Sequence, residues 1–199
     1  MSADCREFAF YTGVRCPSEL IELQWRDVDF EAHTLTVSRA NVRGDLKDTK
    51  THRSRVVDLN ERAHAVLLRQ KARTFLAGGY IFINDGDGGR TARGTFAGGT
   101  GKAFGSQVLL RRWTWVLKAL GLRHRDAYQT RHSYASWLIN AYVPDKLVAE
   151  QLGHSVIVLH KIYAKQLAAA KDDRKREKIN EALFGPKVVP AINEKPLSL

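Results

Sequence analysis

The stretch Q-L-G-H-S-V-I-V-L-H-K-I-Y-A-K, residues 151–165, predicts a sharp turn followed by a helix. Gly153 can adopt a left-handed backbone conformation, which turns the chain. Ser155 is a typical N-cap residue, because its hydroxyl can accept a hydrogen bond from the first turn of a helix. A single tyrosine, Tyr163, follows His154 by nine positions. Most tyrosines on short helices are packing residues, so a chemical role for Tyr163 needs support from elsewhere in the chain.

Composition indicates one globular domain that binds a polyanion. The chain has 199 residues, of which 44% are apolar and 27% charged, and this is enough for one hydrophobic core. Its net charge of +11 is spread along the chain. A basic domain of this size typically meets nucleic acid, since each neutralised phosphate releases counterions. A basic protein without such a partner is the alternative, and charge alone does not separate a DNA-binding protein from an enzyme.

Targeting signals and cysteine content indicate the cellular location of the protein. No apolar run reaches the roughly 18 residues of a membrane span, and the N-terminus, M-S-A-D-C-R, lacks the apolar segment of a secretory signal. Cys5 and Cys16 have no surrounding cluster of histidines or cysteines, so they support neither a disulfide framework nor a zinc site. We expect a cytoplasmic protein with reduced thiols.

The pattern along the chain predicts a mainly α fold with a small antiparallel β-sheet, an α+β arrangement. A helix is expected to begin in C-P-S-E-L-I-E-L-Q-W, where Pro17 suits the first helical position and Glu19 the first turn. The other expected helices are the residues up to about Gly13, 61–74, 106–120, about 127–140, about 144–151 and the segment around Tyr163.

The strand signals lie in the first half of the chain. Alternating runs at 33–38 and 52–59 predict two antiparallel strands joined by a polar loop, residues 43–50, and a short strand is expected at 80–83. The glycine-rich residues 84–105 lack the G-x-x-x-x-G-K-[ST] pattern and are interpreted as a mobile surface loop.

Two arginines and a tyrosine are candidates to act with Tyr163. Arg15, in T-G-V-R-C-P-S-E-L, precedes a predicted helix start, where a cation opposes the helix dipole unless an anion lies between them. A surface ion pair between Arg15 and Glu19 is the alternative. Tyr128 and Arg131, in Y-Q-T-R-H-S-Y-A-S, are three apart and so share one helix face.

Two further candidates lie next to predicted turns. His154 follows the glycine of L-G-H-S, and Lys50 lies in the polar loop, from which an ammonium group can reach into a groove. Taken singly, each of these residues is more often an ordinary surface or hydrogen-bonding side chain than a functional one.

The order of these motifs resembles the tyrosine recombinase (phage integrase) family. The resemblance covers the chain from about Phe8 to Ala164, and its elements are T-G-V-R-C-P-S-E-L, a lysine in a β-hairpin, R-H-S-Y-A-S, L-G-H-S and the tyrosine nine residues on. It implies a site-specific recombinase or integrase that cleaves and rejoins double-stranded DNA through a covalent 3′-phosphotyrosine. It implies no metal, ATP or other cofactor.

The resemblance also implies a role for each candidate residue. Tyr163 is then the nucleophile, and the covalent link conserves the phosphodiester bond energy. Arg15 and Arg131 hold the non-bridging oxygens of the scissile phosphate and stabilise the charge of the transition state. Lys50 protonates the leaving 5′-oxygen, and His154 hydrogen-bonds the phosphate or assists proton transfer.

Tyr128 departs from the family pattern. The usual motif is H-x-x-R, whereas this chain has Tyr128-x-x-Arg131. A phenol can donate a hydrogen bond to a phosphate oxygen, but it is a poor general base near pH 7 because its reference pKa is about 10. We keep Tyr128 in the predicted site without assigning it proton transfer.

The chain starts close to the arginine motif, whereas family members usually carry a core-binding domain ahead of it. We therefore expect residues 1–165 to be an isolated catalytic domain, with no core-binding domain and with weak DNA affinity. Residues 166–199 are expected to be a helical or flexible tail. We expect a monomer in isolation and a homotetramer on synapsed DNA, with no membrane contact.

The tail contains a short apolar stripe, since Ile179 and Leu183 are four residues apart. It folds back on its own domain in one interpretation. In the other it docks on a neighbouring protomer during synapsis, as C-terminal segments do in related recombinases.

Two other functions stay open at this point. A type IB topoisomerase relaxes DNA with similar residues, although R-H-S-Y-A-S together with L-G-H-S favours an integrase. A catalytically silent DNA-binding domain of the same fold is the second, because of Tyr128 and the expected absence of an N-terminal domain. A covalent complex trapped on a nicked DNA substrate would separate an enzyme from a binding protein.

Overall fold

The fold is taken from a computed structural model that describes residues 3–42, 45–48, 54–77, 79–83 and 105–184. Lys50, most of the glycine-rich segment (84–104) and the end of the tail (185–199) lie outside the described residues. In the described part the helices are α1 (Ala3–Thr12), α2 (Glu61–Thr74), α3 (Ser106–Ala119), α4 (Gln129–Asn140), α5 (Asp145–Leu152) and α6 (Val156–Phe184). None of these helices is long and apolar enough to cross a membrane.

Antiparallel strands connect α1 to α2. The strands are β1 (Val28–Asp29), β2 (Thr34–Val37), β3 (Arg39–Val42), β4 (Asp45–Asp48) and β5 (Arg55–Asp58). Three of them form one antiparallel sheet in the order β1-β2-β5, and β3 pairs with β4 as a separate hairpin. The predicted pairing of the two alternating runs is confirmed, since Thr34 is opposite Asp58 and Val37 is opposite Arg55. The mainly α fold with a small antiparallel sheet is confirmed as well.

The predicted helix in residues 16–25 is wrong. The segment forms two short 3₁₀ turns, Leu20–Glu22 and Trp25–Asp27, with extended backbone at Leu23. The reason is tertiary pairing. The carbonyl of Leu23 accepts from the N–H of Ile81 at 2.9 Å, and the N–H of Trp25 donates to the carbonyl of Gly79 at 2.8 Å. These bonds to a segment far along the chain take the backbone groups that a helix would use internally.

Two strand predictions also need correction. The polar segment predicted as a loop at 43–50 contains β4, which pairs with β3 through Ala40 and Lys47 among others. This hairpin is separate from the main sheet. Residues 80–83 do not form a strand. Tyr80 makes an isolated bridge with Gln24, and the main sheet ends at β1 and β5.

Two clusters of buried residues make up the described core. The larger one joins α1, the sheet, α2 and α3, with side chains such as Phe8, Leu35 and Leu67 fully buried. The smaller one joins α4, α5 and α6, and it includes Tyr163, which is 2% exposed. Tyr163 is therefore packed in a core, and it also has a polar partner, as shown below. Cys5 and Cys16 are buried.

Local sequence signals fix several element ends. The side chain of Asn60 accepts from the N–H of Ala63 at 2.9 Å and caps α2. The hydroxyl of Ser155 accepts from the N–H of Val158 at 3.2 Å at the start of α6, and Gly153 has a left-handed backbone with φ +63° after α5. The predicted turn and cap ahead of the Tyr163 helix are confirmed.

Gly13 should be essential for stability, whereas Gly121 offers a matched control. Both have left-handed backbones, with φ +64° and +65°, but a Cβ on Gly13 would lie 2.4 Å from Cδ1 of buried Tyr134, and a Cβ on Gly121 would meet no described atom within 4 Å. Gly121→Ala should lower the free energy of unfolding by about 1 kcal/mol, from backbone strain alone. Gly13→Ala should cost about 3 kcal/mol or more, because steric overlap is added.

Urea unfolding of both variants measures this difference in the free energy of unfolding. Equal losses for the two substitutions would show that Tyr134 moves aside freely and that the contact at Gly13 is unimportant.

Candidate active site

The side chain of Arg131 lies fully buried between the ends of two other helices. One guanidinium nitrogen donates to the carbonyl of Gly13, just after α1, at 2.7 Å. Another donates to the carbonyl of Leu152, the last residue of α5, and lies 3.0 Å from Nε2 of His154. Arg131 therefore holds α1, α4 and α5 in fixed relative positions.

Hydrogen bonding defines the state of His154. A guanidinium can only donate, so Nε2 of His154 accepts from Arg131 and the neutral ring carries its proton on Nδ1. Burial, followed by the charges of Arg131, Arg15 and Arg55, lowers the pKa of His154 to about 4. The ring is therefore neutral at physiological pH.

Two buried donors of this cluster have no hydrogen-bond partner among the described residues. They are Nε of Arg131 and Nδ1 of His154. Unpaired buried donors are rare in folded proteins, and a bound ion or a catalytic role is one explanation for them. Both groups are suited to donate to the oxygens of an anion.

Glu19 is the single carboxylate at the centre of the described arginine cluster. It is 0% exposed and accepts from both terminal nitrogens of Arg55, at 2.8 and 2.6 Å. It also accepts from the backbone N–H of Arg15 at 2.7 Å and pairs with the Arg15 guanidinium. The ion pair of Arg15 and Glu19 considered as an alternative is thus present, but its carboxylate is buried.

The pKa of Glu19 reflects these partners. Burial alone raises the pKa of a carboxyl group, but the hydrogen bonds and charges of Arg55 and Arg15 outweigh it and lower the pKa from 4.5 to about 2. Burial, together with Arg15 and Arg55, lowers the pKa of Arg131 to about 10, and Glu19 partly opposes this. Three guanidiniums and one carboxylate leave an excess of positive charge, so the cluster favours an anionic ligand.

Arg55 connects this cluster to the turn that carries His154. Its Nε donates to the carbonyl of Gln151 at 3.1 Å. A Cβ on Gly153 would lie 2.7 Å from Cδ of Arg55, so glycine is needed there for space as well as for its positive φ.

Tyr163 lies beside the arginine cluster and bonds to a histidine. Its hydroxyl is 2.8 Å from Nδ1 of His132, the residue that follows Arg131 on α4. The backbone of Tyr163, with φ −112° and ψ 22°, departs from helical values and bends α6 at this residue. Burial raises the pKa of Tyr163, with a smaller opposing effect from Arg131.

Tyr128 occupies the N-cap position of α4. Its backbone N–H donates to Oδ1 of Asp126 at 2.7 Å, and its ring meets the ring of His132 edge-on with centroids 5.3 Å apart. The ring contact of Tyr128 is therefore with His132, and Tyr128 helps to orient that imidazole.

The structure brings four of the six predicted site residues into one region. Arg15, Arg131 and His154 share the charged cluster, and Tyr163 lies next to it through His132. Tyr128 packs at the edge of this region, and Lys50 lies outside the described residues. The described strand nearest to Lys50 in sequence, β4, ends at Asp48. Among the described residues, no group of three or more His, Cys, Asp or Glu side chains could hold a metal ion.

Sequence reasoning missed Arg55, His132 and the central position of Glu19. A signal for Arg55 was present, because it alternates with Val57 and Leu59 onto the buried face of its strand, where an unpaired charge would be costly. His132 is adjacent to Arg131 in the quoted motif, but nothing local shows that it meets Tyr163, which is 31 residues away.

Comparisons with known proteins agree with the fold and with the family that the sequence resembles. The model of the phage integrase family matches residues 3–169. The chain is 31% identical over 173 residues to IntQ of Escherichia coli K12, whose name describes a defective protein, covering 79% of this chain and 43% of that protein. It is 30% identical over 166 residues to a XerC-like tyrosine recombinase of Caldanaerobacter subterraneus, covering 75% of this chain and 41% of that protein. The chain thus spans less than half the length of these relatives.

Solved structures share the fold at lower identity. The Tn1549 transposon integrase bound to transposon right-end DNA has a TM-score of 0.65 and 21% identity, covering 87% of this chain and 58% of that one. The XerA recombinase has a TM-score of 0.62 and 17% identity, covering 94% of this chain and 58% of that one.

Glu19→Gln should destabilise the chain and remove part of its acid sensitivity. The folded pKa of Glu19 is lowered from 4.5 to about 2, so its contribution to stability is present above about pH 4.5 and is lost as the pH falls towards 2. The shift corresponds to about 3 kcal/mol. Urea unfolding at several pH values should show that the variant loses this amount at pH 7 and is less sensitive to acid.

Glu150→Gln is the control, because Glu150 forms an exposed pair with Lys146 at 4.0 Å. This substitution should lower the free energy of unfolding by less than about 1 kcal/mol. A similar small loss for Glu19→Gln would contradict the central position of Glu19.

Proposed function

The chain belongs to the phage integrase family, and from this premise we propose that it is a site-specific recombinase domain. It cleaves and rejoins DNA strands through a covalent 3′-phosphotyrosine on Tyr163. The observation that carries the proposal is the arrangement of two adjacent residues on α4. Arg131 bonds to His154 in the charged cluster, while His132 bonds to the hydroxyl of Tyr163. Neighbouring residues of one helix therefore contact the proposed anion site and the proposed nucleophile, and the charge of Arg131 also acts on Tyr163.

The scissile phosphate is proposed to bind at the arginine cluster. The two buried donors without a described partner, Nε of Arg131 and Nδ1 of His154, are available for its non-bridging oxygens. Arg15, whose side chain is 34% exposed, can turn its remaining donors towards the same anion while Glu19 holds its position. Preorganised donors of this kind stabilise the charge that grows on the phosphorane.

In the proposed reaction, Tyr163 Oη attacks phosphorus and the bond to the 5′-oxygen breaks. Lys50 is proposed to protonate this leaving oxygen. The phosphotyrosine keeps the energy of the phosphodiester bond, so rejoining needs no ATP, and the arginines supply positive charge in place of a metal ion. Attack by a 5′-hydroxyl on the phosphotyrosine then rejoins the strand.

Double-stranded DNA is the proposed partner, acting in the cytoplasm, with four copies on synapsed DNA and a monomer in its absence. The net charge of +11 supports DNA binding, and the related Tn1549 integrase and XerH recombinase have been solved with DNA. We keep residues 1–165 as the proposed catalytic domain. In the tail, α6 continues to Phe184 and leaves Ile179 and Leu183 46% and 69% exposed, which favours docking on a neighbouring protomer over folding back.

Tyr163→Phe should abolish the covalent adduct while leaving DNA binding nearly unchanged, since only one hydroxyl is removed. The measurement is denaturing gel electrophoresis after incubation with a duplex nicked near the cleavage site, which traps the adduct. Tyr142→Phe, at an exposed tyrosine outside the site, is the control and should form the adduct normally. A detergent-stable adduct in Tyr163→Phe would exclude Tyr163 as the nucleophile.

Arg15→Ala should lower the cleavage rate by about 10²-fold or more, the scale for loss of one preorganised donor. Its effect on DNA affinity should be much smaller. Arg26→Ala, at an exposed arginine on the following turn, is the comparison. It should leave the cleavage rate unchanged and alter only the DNA affinity, if anything. Single-turnover cleavage and filter binding measure the two quantities. Equal losses of rate and affinity in Arg15→Ala would mean that Arg15 only docks the DNA.

A further inference from the structure

We propose that His132 is a catalytic residue that accepts the proton of Tyr163 when the tyrosine attacks the phosphate. The inference rests on the proposed function and deepens it, because it supplies the general base of the reaction. Its starting point is the distance of 2.8 Å between Nδ1 of His132 and the hydroxyl of Tyr163. A general base must lie within hydrogen-bond reach of the proton that it removes, and His132 does.

The direction of this hydrogen bond follows from the chemistry of the two groups. With its proton on Nε2, the neutral imidazole presents the lone pair of Nδ1, and the phenol donates to it. The imidazole is held between two aromatic rings, with centroids 5.3 Å away at Tyr128 and 5.6 Å away at Tyr163. Packing of this kind limits rotation of the ring and keeps Nδ1 directed at the hydroxyl.

The other candidates for the base are unsuited to it. The lone pair of His154 on Nε2 already accepts from Arg131, and its Nδ1 carries the proton. Tyr128 has a phenol, which is a weak base near neutral pH. Of the described side chains at this site, His132 is the one whose lone pair meets the nucleophile.

The charge state of His132 suits a base. The charged or titratable groups that face it are Arg131 and Tyr128 on its own segment, Arg125 from the preceding loop and Tyr163 from α6. Burial and then the charge of Arg131 lower the pKa of His132 below its ordinary 6.5, so the ring is neutral at pH 7. The pKa of Tyr163 is raised by burial, so the phenol does not ionise without help.

The proposed step balances in both directions. As the bond between Tyr163 Oη and phosphorus forms, the phenolic proton moves to Nδ1 of His132, and the departing 5′-oxygen takes a proton from Lys50. On rejoining, the 5′-hydroxyl loses its proton to Lys50, and the imidazolium of His132 returns its proton to the tyrosine oxygen. The imidazolium lines a polar pocket with Gln129 and Ser133, whose polar groups can stabilise its charge.

The test is the pH profile of single-turnover cleavage on the nicked duplex between pH 5.5 and 9. For the unchanged chain, the rate should be level above about pH 6.5 and fall at lower pH, because a protonated imidazole cannot accept a proton. His132→Ala should be about 10²-fold slower at pH 7, within the range for loss of a general base. Its rate should rise with pH up to pH 9, since the phenol must then lose its proton to solvent.

Two further variants separate proton transfer from positioning. His132→Asn places an amide oxygen near the former Nδ1 and can accept a hydrogen bond, but it cannot take up a proton, so it should be as slow as His132→Ala. His160→Ala, at an exposed histidine paired with Asp145, is the histidine control and should keep the unchanged rate and profile.

Cleavage by His132→Asn at the unchanged rate would reduce His132 to a positioning residue, and an unchanged pH profile in His132→Ala would remove it from the reaction. Slow adducts that still form on Tyr163 in both variants would support the proposal. An adduct in Tyr163→Phe would overturn the proposed function itself, and this inference with it, so the two failures are distinguishable.

Discussion

A buried guanidinium must find hydrogen-bond acceptors at fixed positions, and Arg131 finds them at the ends of two other helices. Its bonds to the carbonyls of Gly13 and Leu152 span 118 and 21 residues of sequence. An uncompensated buried charge costs several kcal/mol. The fold therefore requires that the ends of α1 and α5 meet at α4. The turns at Gly13 and Gly153 have left-handed backbones for the same reason, since each lets the chain pass close to a side chain of this region.

The position in which Arg131 is held also determines the electrostatics of the site. Glu19 pairs with Arg15 and Arg55 and acts electrostatically on Arg131, so three guanidiniums and one carboxylate leave net positive charge, with two unpaired donors in the same cluster. Because Arg131 and His132 are adjacent on α4, the residue proposed to bind the anion lies next in the helix to the residue that bonds to Tyr163. One helix would then position both the proposed phosphate site and the proposed nucleophile, which suits strand transfer.

Local signals predicted much of the fold correctly. The bounds of α2, from Glu61 to Thr74, agree with prediction because a side-chain cap at Asn60 determines its start. The turn and cap at Gly153 and Ser155 are equally local. The helix expected in residues 16–25 was wrong because Leu23 and Trp25 pair with residues 79–81, and no local pattern reports such a partner.

The site was predicted in part for the same physical reason. Arg15, Arg131, His154 and Tyr163 were identified from the order of motifs, and they lie in one region of the structure, although their roles remain predictions. The contact of His132 with Tyr163 and the paired arginines of Glu19 depend on the packing of distant segments, so the sequence alone did not reveal them.

Tyr163 is proposed to form the bond to DNA, and mapping the covalent adduct identifies the residue that forms it. The adduct formed by the unchanged chain on a nicked duplex is digested with protease, and the nucleotide-linked peptide is sequenced by mass spectrometry. We expect a 3′-phosphate attached to the peptide that contains Tyr163. Attachment to another residue, such as Tyr128 or Tyr134, or through a 5′-phosphate, would contradict it.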